Sequence, residues 1–416
     1  MTGMQAAGPE QARRLVEELF RSGLASTAGH SCVAGYLASR EADGPVSVVA
    51  LGKAASAMAD GAIQALGQRL HRGLLVTKTG HTSRLLQQDA RFTCLEAGHP
   101  LPDRRSLAAG KRLLQFLGDT PAGEALLFLI SGGTSSLVEV LNKATGPEDL
   151  HRINRWLLGS GLDIGGMNHV RRSVSLIKGG RLLNHLGDHP STVLLISDVP
   201  GDDPAVIGSG LLMPPSGEAA LPDGLPDWIL RLAGAAGPGP GTPTRRRPID
   251  HHIIARLQDA LAATCRSARE QGLNATIVDS TLQGDAAQAG SSIADHLRQQ
   301  EPGVYLWGGE TTVCLPPRPG RGGRNQSLAL AAAIGVQECG DCVVLAAGTD
   351  GTDGPGNAAG AIVDGGTISR GGGQKAAAEA LQNADAGSFL EAGGDLLVTG
   401  PTGTNVMDMV IGLKTG

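Results

Sequence analysis

The sequence predicts an α/β protein of two domains, on three observations. Short apolar runs rich in β-branched residues each end in a Gly/Ser/Asp turn and lead into a segment of helical spacing, the pattern of strands alternating with helices. The chain has 416 residues, which makes two domains at roughly 100 to 200 residues each. Between Pro214 and Pro248 the composition changes to Pro, Gly and Ala, and this stretch is the expected domain boundary.

The elements follow in order. Val46 to Leu51 reads as a buried strand that breaks at Gly52-Lys53 into an Ala-rich helix ending near Leu66. Leu74 to Thr77 is a strand that stops at Lys78-Thr79-Gly80-His81. Phe92 to Leu95 is a third strand, running into Glu96-Ala97-Gly98-His99-Pro100 before helical spacing from Arg104 to Leu117. A fourth, Ala125 to Ile130, stops at Ser131-Gly132-Gly133-Thr134-Ser135-Ser136. Asn168 to Leu186 reads as a helix despite Gly179-Gly180, and Thr192 to Ile196 as a strand ending at Ser197-Asp198. After the linker, His251 to Gln271 looks helical, Ala275 to Val278 strand, Ala286 to Gln299 helix, Val304 to Trp307 strand, Gln326 to Ile334 helix and Val343 to Ala347 strand. The run Arg245-Arg246-Arg247 in the linker reads as solvated charge.

Composition narrows the function classes. At 41% hydrophobic and 18% charged residues the chain is neither disordered nor fibrous. Five Phe, three Trp and two Tyr leave an aliphatic core and no aromatic stacking surface for nucleic acid. The net charge of −5, without a basic stripe, gives no footprint for nucleic acid or an anionic membrane. Apolar runs are far short of the ~20 residues that span a bilayer, and Glu10, Arg13, Arg14, Glu17 and Glu18 interrupt any signal-peptide core. A soluble cytoplasmic protein with small-molecule partners is expected, with homo-oligomer formation left open. The six cysteines show no framework spacing. Cys339-Gly340-Asp341-Cys342 precedes a strand instead of opening a helix after one, so it lacks the helix N-terminus that activates a redox thiolate.

In an open α/β sheet, ligands bind outside the carboxyl ends of the strands, and this chain puts polar loops there repeatedly. Ser131-Gly132-Gly133-Thr134-Ser135-Ser136 offers backbone N–H groups and hydroxyls suited to a phosphate or carboxylate; a tight turn with an N-cap explains the same residues equally well. Gly308-Gly309-Glu310 and Gly320-Arg321-Gly322-Gly323-Arg324 combine an acid and two arginines in glycine-rich backbone, where a guanidinium can hold a phosphoryl group by two bonds. Asp350 and Asp353 in Thr349-Asp-Gly-Thr-Asp-Gly354 supply hard oxygen ligands suited to Mg²⁺, although an Asx-turn would explain one of them. Neither Gly52-Lys53 nor Gly110-Lys111 belongs to a Walker A loop, and no G-x-G-x-x-G follows a strand.

Taken together, Leu51-Gly-Lys-Ala-Ala55, Glu96-Ala-Gly-His-Pro-Leu-Pro-Asp103, Ile130-Ser-Gly-Gly-Thr-Ser-Ser136, Asn168-His-Val-Arg-Arg172 with Lys178-Gly-Gly-Arg181, Ser197-Asp-Val-Pro-Gly-Asp202, Gly308-Gly-Glu-Thr311, Gly322-Gly-Arg-Asn-Gln326, Gly348-Thr-Asp-Gly-Thr-Asp-Gly354 and Gly400-Pro-Thr-Gly-Thr-Asn405 resemble class II glycerate kinases over nearly the whole chain. The resemblance implies a Rossmann-like N-terminal domain, residues 1–240, and a C-terminal MOFRL domain, residues 241–416, with the active-site cleft between them. It implies ATP-dependent phosphorylation of D-glycerate, giving 2-phosphoglycerate.

By position, the resemblance makes Lys53 and Arg324 the two cationic residues of the catalytic site, and each also precedes a helix where a phosphate would sit. Asp198, Glu310, Asp350 and Asp353 are the candidates for holding Mg²⁺ and ATP. Ser131, Gly132, Gly133, Thr134, Ser135, Arg171 and Lys178 are the candidates for substrate or phosphate. His81 and His99 are alternative general bases, and each could equally be a packed turn histidine. Members of the family are also labelled hydroxypyruvate reductases, for which the NAD(P) fingerprint is missing here. A non-catalytic sugar-phosphate sensor would use the loop from Ser131 but leave the Asp350, Asp353 and Arg324 loops without a purpose.

Overall fold

The computed structural model describes residues 8–40, 44–160, 162, 164–214, 221–234, 249–337 and 339–415. The chain divides into two units. One is Gly29–Ile254; the other joins the segment ending at Ala28 to everything from Ala255 onward. This departs from the expected division at 240/241 in two ways: the boundary comes later, and the first helix, α1 (Pro9–Ser26), belongs with the C-terminal unit. Most of the Pro/Gly-rich linker, including Arg245, Arg246 and Arg247, lies outside the described residues.

The unit Gly29–Ile254 holds helices α2 (Gly29–Ala38), α3 (Ala55–Leu66), α4 (Arg84–Gln88), α5 (Arg104–Gly118), α6 (Thr134–Leu137), α7 (Pro147–Leu158), α8 (Ile164–Val174) and α9 (Asp227–Gly234). Its strands are β1 (Val46–Leu51), β2 (Leu70–Lys78), β3 (Phe92–Ala97), β4 (Ala125–Ile130), β5 (Ser191–Ile196) and β6 (Ile249–Ala255). They form one sheet in the order β3-β2-β1-β4-β5-β6, with β1 parallel to both β2 and β4. This is the strand order of a doubly wound sheet, which reverses direction at β1 and β4. All six residues of β1 are buried, as expected of a parallel strand covered on both faces.

Two expectations in this region are corrected. The helix expected over Asn168 to Leu186 stops at Val174. Ser175 bridges to Leu141 instead, and Gly179 and Gly180 turn the chain with φ of 60° and 80°, values that helical backbone excludes and glycine tolerates. The helix expected from His251 divides into β6 and α10 (Leu257–Glu270).

The other unit contains α1 and α10, then α11 (Ala286–Gln299), α12 (Arg324–Gly335), α13 (Thr367–Arg370), α14 (Gln374–Gln382) and α15 (Ala386–Gly393). Its strands are β7 (Ala275–Leu282), β8 (Gly303–Gly309), β9 (Cys342–Gly348), β10 (Gly360–Asp364), β11 (Leu396–Leu397) and β12 (Asp408–Lys414). They run in the order β11-β10-β9-β12-β8-β7. β7 is parallel to β8, whereas β12 lies antiparallel between β8 and β9. With so few aromatic side chains the core is built by close approach: a Cβ added at Gly290 of α11 would lie 2.1 Å from the Leu328 carbonyl oxygen of α12.

Helix α1 is buried along Ala12, Val16, Leu19, Phe20 and Gly23, one helical stripe. Its Arg13 donates to Asp364 at 2.6 Å and pairs with Asp395 at 2.8 Å, and Arg370 closes the square by pairing with the same two carboxylates at 3.0 and 2.7 Å. Burial alone would raise the pKa of Asp364, but hydrogen bonds from Arg370, Arg13 and the Gly366 amide outweigh it and hold the carboxyl below its ordinary range.

Candidate active site

In the doubly wound unit, the crevice expected to bind ligand lies where the strand order reverses, outside the carboxyl ends of β1 and β4. The loops that leave these two strands are bonded to each other there. Lys53 N donates to the Gly132 carbonyl at 2.9 Å, and Ala54 N donates to Ser131 Oγ at 3.0 Å. Gly52 has φ 122°, and a Cβ on it would lie 2.3 Å from Ser131 Oγ, so only glycine lets the loops approach this closely. The hydroxyls of Ser131 and Thr134 serve the loop itself. Thr134 Oγ1 donates to the carbonyls of Ser131 and Leu51, and both side chains are buried.

A cavity of about 170 Å³ opens beside this loop, lined among others by His99, Gly133, Ser135, Asn154, Arg171 and Lys178. Gly133 (φ 83°) forms a bare patch of backbone: an added Cβ would meet Lys53 Cγ at 3.0 Å and His99 Nε2 at 3.3 Å. His99 therefore lies at the cavity. His81 does not line it, and instead influences Glu96, the carboxylate bonded to Gly80 and Thr82.

The two cations of the cavity differ. Lys178 Nζ is 2.5 Å from Glu139 Oε2, and both side chains are buried. Ser175 Oγ donates to the other Glu139 oxygen at 2.6 Å. Arg171 donates from Nε to Asn154 Oδ1 at 3.0 Å and from Nη1 to Asn168 Oδ1 at 3.2 Å, both neutral amides. Burial lowers its pKa, and among the described residues no carboxylate pairs with it. The Lys178 charge is thus cancelled on the spot, while that of Arg171, which lines the same cavity, has no carboxylate partner among the described residues. Glu139 and Asn154 were not legible as site residues in the sequence, because their partners lie 39 and 17 positions away.

In the other unit, Arg324 opens α12 directly after a glycine loop. Its Nε and Nη2 donate to Asp408 at 2.5 and 3.0 Å, and its Nη1 lies 2.9 Å from Glu310 at the end of β8. Burial opposes the charge, but Asp408, Glu310 and Asp353 outweigh it and raise the pKa. Asp353 is committed to the helix: its carboxylate accepts from the backbone N–H of Asn325 and Gln326 at 3.1 and 2.8 Å. Burial and Asp408 nevertheless push its carboxyl up to about 6. Asp350 follows β9 and accepts from Thr352 N and Oγ1, the Asx-turn weighed above. Beside these groups, Asn325 has neither side-chain polar atom bonded, and Thr311 Oγ1 likewise has no partner among the described residues. Buried amide and hydroxyl groups without partners are uncommon and call for a ligand, an ion or a water. Both residues sit inside motifs noted in the sequence, yet the motifs did not assign them a role.

Asp198 is half-buried at the end of β5, in the doubly wound unit and so apart from Glu310, Asp350 and Asp353 in sequence and unit. No disulfide joins the six cysteines. Burial and neighbouring Asp341 push the Cys342 thiol up to about 12, the opposite of an activated nucleophile. Among the described residues no helix is long and apolar enough to cross a membrane.

Comparison with known proteins places the chain in a family. Residues 15–222 match the family described as Domain of unknown function (DUF4147), and residues 303–408 match the MOFRL family. A D-glycerate 2-kinase from Thermotoga maritima is 35% identical, over 97% of this chain and 99% of its own length. A protein from Agrobacterium vitis named a putative hydroxypyruvate reductase is 34% identical, over 87% of this chain and 97% of its own. The crystal structure of glycerate kinase from Thermotoga maritima superposes with a TM-score of 0.82 at 34% identity, covering 98% of this chain and 100% of that one. Two family matches in this order, and likeness over nearly the full length, show that the chain belongs to the class II glycerate kinases, the family that joins a DUF4147 region to a MOFRL region.

Proposed function

We propose that the protein transfers the γ-phosphoryl group of ATP to the C2 hydroxyl of D-glycerate, giving 2-phosphoglycerate, with Mg²⁺ on the nucleotide phosphates. The observation that carries this reading is the guanidinium of Arg171 in a cavity of about 170 Å³, bonded to two neutral amides and, among the described residues, to no carboxylate. A charge of that kind recognises a small monocarboxylate by a bidentate bond. The name borne by the Thermotoga maritima relative, a D-glycerate 2-kinase, supports both the acid and the hydroxyl.

The remaining roles follow from chemistry. Arg171 holds the substrate carboxylate, and Ser135 with the bare backbone at Gly133 borders the hydroxyl groups. His99 takes the proton of the attacking C2 hydroxyl. Lys53 and Arg324 stabilise negative charge on the phosphoryl oxygens, since phosphoryl transfer depends mainly on positioning and electrostatics. Glu310 and Asp350 offer hard carboxylate oxygens that fit Mg²⁺, and the unbonded Thr311 hydroxyl, next to Glu310, and the Asn325 amide, next to Arg324, are further polar ligands. Asp353 fits this role less well, because backbone N–H groups already occupy its oxygens. When bound, the metal neutralises charge on the phosphate oxygens.

The test is incubation with D-glycerate, Mg²⁺ and ATP, followed by phosphorus NMR, for the unaltered protein and for Lys53→Ala and Arg324→Ala. A new phosphomonoester signal coupled to the C2 proton, lost in both variants, is the expected result. No ATP consumption would remove the reading for this substrate. NADH oxidation by hydroxypyruvate would replace it with the reductase.

A further inference from the structure

The turn between α12 and β9 carries a second set of chemistry-bearing side chains, in the MOFRL-containing unit and outside the residues assigned above. Cys339, Asp341 and Cys342 bring two sulfurs and a carboxylate oxygen within 4.8 Å of one another, the one such group of three metal-ligating residues among those described. The turn that does this is tight and braced. Cys339 N donates to the Val336 carbonyl at 2.8 Å as the helix ends, and Cys342 N approaches the Cys339 carbonyl at 3.5 Å to close the turn. The Asp341 carbonyl accepts from Thr415 N at 2.9 Å and from Thr415 Oγ1 at 3.2 Å, which ties the turn to the segment after β12. Cys342 itself is fixed in the sheet opposite Lys414. The Lys414 ammonium donates to the Arg298 carbonyl at 3.1 Å.

The spacing fits one class of ion. Zinc takes thiolate sulfur at about 2.3 Å and carboxylate oxygen at about 2.0 to 2.2 Å in tetrahedral geometry, which sets sulfur and oxygen on a shared edge about 3.5 Å apart. Cys342 Sγ lies 3.6 Å from Asp341 Oδ1. Two sulfurs exclude Mg²⁺ and Ca²⁺, which take oxygen ligands. Asp341 and Cys342 also line a cavity of about 330 Å³, which leaves room for a water or small anion as fourth ligand.

We propose that Cys339, Asp341 and Cys342 form a tetrahedral site for a soft divalent cation of the zinc class, with a fourth position open to solvent. Both thiols lose their protons on binding, and the ion cross-links the end of α12 to β9. The site is independent of the phosphoryl-transfer reading, since it shares no residue with it.

The full-length protein, reduced and freed of metal by a chelator, is titrated with Co²⁺ while its absorption spectrum is recorded. The expected result is one equivalent bound per chain, with a sulfur-to-cobalt charge-transfer band and tetrahedral ligand-field bands, both displaced by Zn²⁺. Cobalt bound at oxygen ligands alone gives no charge-transfer band, so the nucleotide site cannot produce this signal. Cys339→Ser and Cys342→Ser should each abolish the band, and Asp341→Asn should weaken binding by at least about 10-fold. Absence of the band in the reduced protein, or its persistence in both cysteine variants, would overturn the proposal. So would isolation of the native protein with Cys339 and Cys342 joined as a disulfide and no affinity for Co²⁺ after reduction.

Discussion

Arg324 and Asp408 are joined by two parallel bonds, Nε to Oδ2 at 2.5 Å and Nη2 to Oδ1 at 3.0 Å. The carboxylate opens β12 and the guanidinium opens α12, so strand and helix meet through a planar fork. That contact aims the third nitrogen, Nη1, at Glu310. A lysine would keep the charge but could not fill the fork.

Arg324→Lys is therefore expected to lower kcat for D-glycerate phosphorylation by about 1,000-fold or more, the scale of losing a transition-state arginine. Asp408→Asn should lower it less, because the guanidinium remains and only its orientation loosens. ADP release under saturating ATP checks both. A lysine variant within two-fold of the unaltered enzyme would refute the role.

The buried pair of Lys178 and Glu139 gives a stability prediction. Lys178→Met strands a buried carboxylate and should lower unfolding free energy by about 3 to 5 kcal/mol. Changing Glu139 to Leu in the same chain removes the orphan and should restore most of the loss. Urea unfolding of the two single variants and the double variant measures the recovery, and three equal destabilisations would show that the ion pair is not the cause.

The square formed by Arg13, Asp364, Arg370 and Asp395 predicts acid sensitivity. The carboxyl of Asp364 has its pKa depressed in the folded state, so the unfolded state binds the proton more readily. Its stabilising contribution is complete above the unfolded value of about 3.9 and is lost as pH falls through the lower folded value. Arg13→Ala should consequently destabilise the protein near neutrality, with the gap to the unaltered protein narrowing below pH of about 4. Denaturant unfolding at several pH values follows the gap, and a difference that does not change with pH would contradict it.

Gly133→Ala tests the cavity at its narrowest point. With φ 83° and Lys53 Cγ 3.0 Å from the new methyl position, alanine must strain its backbone by roughly 1 to 2 kcal/mol and displace Lys53 or His99. The expected outcome is a folded protein whose kcat falls at least ten-fold, about the effect of a small misplacement of reacting groups. Far-ultraviolet circular dichroism beside the activity assay separates this from unfolding.

The parallel half of the fold was legible because its physics is local. Each strand from Val46 to Ile196 is a short apolar run closed by a Gly, Ser or Asp turn, and β1, β4 and α11 have the boundaries expected of them. The antiparallel strands β10 and β12 were not anticipated, since the partners of both are set by tertiary pairing. His251 misled because a strand and a helix of similar apolarity abut within β6 and α10. At the sites, glycine loops marked Lys53, Gly133 and Arg324, for which backbone conformation and chain position are enough. What separates Arg171 from Lys178 is a carboxylate on another element, and Asp353 serves its helix through contacts 27 and 28 positions away. Such pairings are written in three dimensions only.

The docking of α1 has a consequence for how the chain is made. Arg13 and Asp364 are separated by 351 positions, and ribosomes add about 5 to 20 residues per second. Helix α1 therefore leaves the ribosome roughly 20 to 70 s before its acidic partners. For that interval its stripe of Val16, Leu19 and Phe20 has no sheet to cover, and the intervening Gly29–Ile254 unit is completed only late in it. The nascent chain thus carries an uncovered apolar helix, a natural client for a holding chaperone until the last strand emerges.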